Sequence, residues 1–119
     1  MSLSDYIISK MGIPFLYGVN DCVLFAVGWL ELSTGEKFLP EITWSTEREA
    51  LKKIKKLGGL EKAFGKRLRE IEANYAQDGD LTIVDGISYL FSGVHIVSVG
   101  QDGLRFKSRQ LAKRAWTNG

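Results

Sequence analysis

The chain has one cysteine and one histidine, and each stands where its chemistry could be used. Cys22 opens the most apolar stretch, Cys22-Val23-Leu24-Phe25-Ala26-Val27-Gly28-Trp29-Leu30-Glu31-Leu32, directly after Asn20-Asp21. Asn20 or Asp21 reads as an N-cap, its side-chain oxygen accepting from a free backbone N–H of the first turn. A thiol within that turn meets unpaired N–H groups and the positive end of the helix dipole, both of which favour the thiolate. His95 lies in the run Val94-His95-Ile96-Val97-Ser98-Val99, where strand alternation gives it a face shared with Val97 and Val99. If that face meets the Cys22 helix, the imidazole takes the thiol proton, the thiolate attacks an acyl carbon, and the imidazolium protonates the leaving amine. The plainer alternative is a small buried hydrophobe and a polar strand residue with no joint role. One cysteine excludes an internal disulfide, and one cysteine with one histidine leaves no Cys/His metal cluster, so no metal and no other cofactor is expected.

The elements that must position this pair follow from periodicity and punctuation. The spacing predicts a short helix over Asp5 to Met11, capped by Ser4 and ended by Gly12, followed by an extended Ile13 to Val19 that turns at Gly18 into the next cap. The Cys22 helix has apolar residues on all sides and ends at Gly35, which makes it the central, buried helix. Gly28 in its middle implies a close backbone approach. After a loop over Glu36 to Trp44, Thr46 and Glu49 form a capping box for a helix that buries Ala50, Leu51, Ile54 and Leu57 and stops at Gly58-Gly59. A helical turn over Leu60 to Phe64 follows. In Lys66 to Gln77, Leu68 and Ile71 hint at an edge strand. From Asp78 the period becomes that of strands: Leu81 to Val84, Ile87 to Phe91, Val94 to Val99 and Leu104 to Lys107, separated by Asp-Gly and Ser-Gly turns, make an antiparallel meander. Leu111, Ala115 and Trp116 can lay the basic tail back on the sheet. The fold class is therefore α+β, with N-terminal helices packed on a small antiparallel β-sheet.

At 119 residues and 45% hydrophobic, the chain is expected to form one domain over 1–119. It has no run of 18 apolar residues and no signal-peptide pattern at its start, so a soluble protein made in the cytoplasm, with no membrane span, is expected. The net charge of +2 hides a division: residues 1 to 47 hold two basic and six acidic side chains, net −4, and residues 48 to 119 hold fourteen and eight, net +6. The densest run, Lys52-Lys53-Ile54-Lys55-Lys56, lacks interleaved aromatics and reads as the wet face of a helix, so no nucleic-acid partner is expected.

Three stretches resemble one family. Pro14-Phe15-Leu16-Tyr17-Gly18-Val19-Asn20-Asp21-Cys22, with Phe25 beyond it, is similar to the Tyr-x-Gly and Asp-Cys motif of the NlpC-type cell-wall peptidases, a papain-like superfamily. Gly79-Asp80-Leu81-Thr82-Ile83-Val84 resembles their Gly-Asp-Leu-Val strand, and His95-Ile96-Val97-Ser98-Val99-Gly100 resembles their histidine strand. The likeness spans roughly residues 13 to 108, and with Ala115-Trp116 it is strongest to small phage-encoded members associated with tail assembly. The resemblance implies a papain-like fold, Cys22 as nucleophile, His95 as general base, and Tyr17, Asn20 and Asp21 at the substrate side of the site. It implies cleavage of peptidoglycan stem peptides, other phage tail proteins as partners, synthesis in the host cytoplasm, and a place in the virion tail. Its third polar residue would fall at Lys107, with Ser108 one step off, and a lysine has no lone pair with which to orient an imidazole. A non-catalytic component of a tail tip or baseplate is the alternative on the same fold.

Overall fold

A computed structural model describes residues 1–38 and 44–118. Ser2, not Ser4, caps the first helix, α1 (Leu3–Ser9), its hydroxyl accepting from the Asp5 N–H, so the helix begins two residues earlier than expected. The central helix, α2 (Cys22–Thr34), is capped by Asp21 and ends at Gly35, whose φ of 76° is the left-handed closure that glycine adopts without strain. Phe25, Ala26, Val27 and Leu30 are buried along α2, whereas Trp29 is half-buried and Leu32 is exposed. Gly28 admits the hydroxyl of Tyr6 rather than another backbone: a Cβ there would sit 2.4 Å from Tyr6 Oη, which donates to the Phe25 carbonyl at 2.6 Å.

Helix α3 (Glu47–Lys56) starts at Thr46, and Glu49 reaches back to the Ser45 N–H and hydroxyl. It buries Ala50 and half-buries Ile54 and Leu57, but Leu51 is exposed instead of buried. The short α4 (Leu60–Gly65) follows at once. The expected loop over Glu36 to Trp44 lies partly outside the described residues, Pro40 included.

Six strands form one antiparallel sheet in the order β1-β6-β2-β3-β4-β5. They are β1 (Arg69–Glu72), β2 (Leu81–Val84), β3 (Ile87–Ser92), β4 (His95–Gly100), β5 (Gly103–Ser108) and β6 (Arg114–Thr117). The four-strand meander is β2 to β5. The tail does more than lie back on it: β6 enters the sheet between β1 and β2, bonded to both. Asp85 and Gly86, with φ of 52° and 76°, make the two-residue turn that joins β2 to β3 and pairs Val84 with Ile87. That pairing sets which β3 residues face the helices.

The two faces of the sheet bury different sets. Leu81, Leu90, Val97 and Trp116 pack with Phe25, Leu30 and Phe64 of the helices. Tyr89, Phe91, Ile96 and Ala115 face the other way and are covered by Ala76 and Ala112, next to two short 3-10 turns. Arg109 closes that layer. Its guanidinium lies 4.8 Å from the Phe91 ring centre and donates to the carbonyls of Ala73, Ala76 and Gly93, so a half-buried cation is held by a ring and backbone acceptors.

Candidate functional site: a cleft at Cys22

Asp21 organises the entrance to α2. One carboxylate oxygen accepts from the Leu24 N–H at 2.9 Å as the helix cap, and the other accepts from the Gly18 N–H at 2.9 Å and the Trp44 indole N–H at 2.8 Å. Three chain segments therefore converge on one buried side chain. Gly18, at φ 81°, passes so close to Trp44 that a Cβ would lie 1.7 Å from the Trp44 carbonyl oxygen. Asn20 is buried too, its amide donating to the Ile13 and Pro14 carbonyls at 3.2 Å each. Of the two residues expected at the substrate side, Asp21 holds the loop and also lines the space beside Cys22, whereas Asn20 holds the loop from beneath.

The result is a partly enclosed cleft of about 260 Å³ that Cys22 lines together with Tyr17, Trp44, Leu51, Ile54 and Ile87. Its charged lining is Asp21 and Glu47; among the described residues no cation lines it. Tyr17 stands at the rim, its ring edge-on to Phe15 at 4.8 Å, so it both packs and lines the site. Burial, then the charges of Glu47, Cys22 and Asp21, raise the Tyr17 hydroxyl pKa and keep it neutral.

The thiol is in the expected place but not in the expected state. Burial pushes its pKa up; hydrogen bonding to Ser88 lowers it and the Asp21 charge raises it, and the net direction is upward. Desolvation of the thiolate thus outweighs the favourable helix terminus.

His95 does share a sheet face with Val97 and Val99, and that face does meet α2, yet the structure does not bring it to Cys22. Ser88, at the start of β3, is the residue against the start of α2, donating from its hydroxyl to the Cys22 carbonyl at 2.8 Å. His95 pairs with Ser92. Ser92 is four steps along the strand from Ser88, about 13 Å at the usual rise. Helix α2 runs the same way: its Trp29 indole packs on Gly79, whose N–H bonds the Phe91 carbonyl, so the level of His95 is that of the far end of the helix. His95 is exposed there, its ring edge-on to Phe106 at 6.0 Å, while Ser108 pairs opposite it and Lys107 opposite Ile96. The strand that starts beside Cys22 is β3, which brings Ser88 rather than His95 to the start of α2. The Asp85-Gly86 dipeptide was the available signal, because a tight turn directly after β2 makes β3 the next strand of the meander. Nothing in the sequence pointed to Trp44 or Glu47.

These features define an α+β protein with an apolar-walled cleft beside a protonated thiol at a helix start. The chain belongs to the family described as Domain of unknown function (DUF6950), whose model matches residues 1–118. No curated protein and no solved structure matches it. Among the described residues no helix is long and apolar enough to cross a membrane, and no group of acidic, histidine or cysteine residues could hold a metal ion.

Proposed function

We propose that this chain is a phage tail or tail-assembly protein of NlpC-type papain-like architecture whose Cys22 cleft binds a peptide segment without cleaving it. The architectural half rests on order: a cysteine at the start of the central helix, then a Gly79-Asp80-Leu81 strand, then an antiparallel neighbour that begins beside the cysteine. The binding half is carried by one observation, the presence of Ser88 rather than an imidazole against the start of α2. Thiolate attack on an amide needs a base to take the thiol proton and return it to the leaving amine. A serine hydroxyl does not serve as that base at neutral pH, and the raised thiol pKa removes the option of a pre-formed thiolate. What remains is a shaped, mostly apolar cleft, which suits recognition. On this reading the protein is made in the host cytoplasm, joins other tail proteins, and is kept in the particle.

Purified peptidoglycan incubated with the protein tests it. The expected result is no release of free amino groups above the Cys22→Ala control. Release that Cys22→Ala abolishes would restore the peptidase reading, with a base other than His95.

A further inference from the structure

A second pocket of about 360 Å³ adjoins the cleft, lined by Phe15, Leu16, Tyr17, Ser45 and Gln101. Tyr17 lines both pockets, which places the two compartments on either side of one residue. The compartments differ in charge. The outer one is lined by uncharged side chains only. The inner one has the carboxylates of Glu47 and Asp21 with no lining cation among the described residues, and apolar walls at Leu51, Ile54 and Ile87. The Asp21 carboxylate accepts from three neutral N–H groups and from no cation that these bonds include.

We infer that the two compartments together bind an extended protein segment, with a lysine or arginine side chain in the inner compartment and an uncharged side chain in the outer one. This rests on the reading of the Cys22 cleft as a binding site. In an extended chain, residues two apart point the same way about 7 Å from each other, which leaves room for the Tyr17 ring between them. A long basic side chain lays its apolar stem on Leu51 and Ile54 and carries its cation to Glu47. A carboxylate in the same place would meet two like charges. The groove is also pre-formed: the Leu16 N–H bonds the Asn20 carbonyl at 3.1 Å, and Asn20 and Asp21 pin the loop from beneath, so little ordering remains to be paid on binding.

The test is an amide-shift titration of the isotopically labelled protein with capped pentapeptides. Acetyl-Gly-Lys-Gly-Leu-Gly-amide and its reverse order should shift the signals of Tyr17, Glu47 and Gln101 together. Replacing the peptide lysine with glutamate should abolish these shifts, and Glu47→Gln should weaken the lysine peptide by about fivefold, the upper range for an exposed ion pair. A norleucine peptide should be unaffected by Glu47→Gln, which separates lost charge from lost fold. Shifts at Glu47 without Gln101 would overturn the two-compartment inference and leave the binding cleft standing. Equal binding of the lysine and glutamate peptides would overturn the charge preference. No shift with any peptide would overturn both this inference and the binding reading beneath it.

Discussion

At Cys22 two opposed effects meet, the helix terminus that favours a thiolate and the desolvation that disfavours it, and burial wins. Iodoacetamide should therefore modify the folded protein more slowly than a free cysteine at the same neutral pH, with the rate rising only above the ordinary thiol range. Unfolding in urea should restore the free-thiol rate, and His95→Ala should change nothing, since the imidazole is a strand's length away. The linkage has a definite sign. A thiol pKa raised by folding adds stability that is whole below the unfolded pKa and is lost as the pH climbs through the folded value, so alkaline stability should improve in Cys22→Ala relative to parent. Asp21 presents a different balance, because its carboxylate satisfies three donors at once. Asp21→Ala should cost about 3 kcal/mol, combining a lost cap with two donors left without their charged acceptor. Asp21→Asn keeps one capping oxygen and should lie between the two in urea midpoint.

For α2 the informative pair is Gly28 and Tyr6. An alanine in a helix interior is favoured over glycine by about 1 kcal/mol, but here its Cβ would strike the Tyr6 hydroxyl and break its bond to the Phe25 carbonyl. Gly28→Ala should destabilise the parent and yet be neutral or stabilising in a Tyr6→Phe background, where the nearest remaining ring atom is 3.4 Å away. A double-mutant cycle on thermal midpoints reads this coupling directly. The loop before α2 offers no such escape. Gly18→Ala would combine a left-handed backbone with a clash against the Trp44 carbonyl, and should cost more than about 2 kcal/mol and open the cleft. Quenching of Trp44 fluorescence by acrylamide would report the opening.

In the whole molecule, β6 closes the sheet from the far end of the chain. It pairs with β1 across four residues and meets β2 at Leu81 and Trp116. A chain cut after Leu111 would lose β1's partner and uncover the Phe64 and Leu81 side of the core, and circular dichroism with hydrogen exchange should show no cooperative fold. Of the two basic residues Lys113 and Arg114, the second opens β6 and is already held by Glu70 in a two-bonded pair at 2.8 and 2.9 Å. Replacing it with glutamate would therefore disturb the β1–β6 edge as well as any partner surface, and Lys113 alone is the cleaner probe of charge.

Helix spans, turn positions and the strand meander were legible because each is written in a few adjacent residues: the Asp21 cap and Gly35 stop, the Thr46 cap, the Asp85-Gly86 hairpin, the alternation of β2 to β5. The same holds for the cleft's half that surrounds Cys22, where Tyr17 and the thiol are six residues or fewer apart in sequence. Three things depended on the tertiary structure alone. The insertion of β6 between β1 and β2 joins residues 35 or more positions apart, for which no local pattern exists. The protonated state of the thiol is a contest between dipole and desolvation, and only packed neighbours settle the second. The separation of His95 from Cys22 turns on register: alternation in the sequence assigns a face to a strand residue, but its distance along that face is set by which hairpin starts beside the helix, and here that is β3 with Ser88.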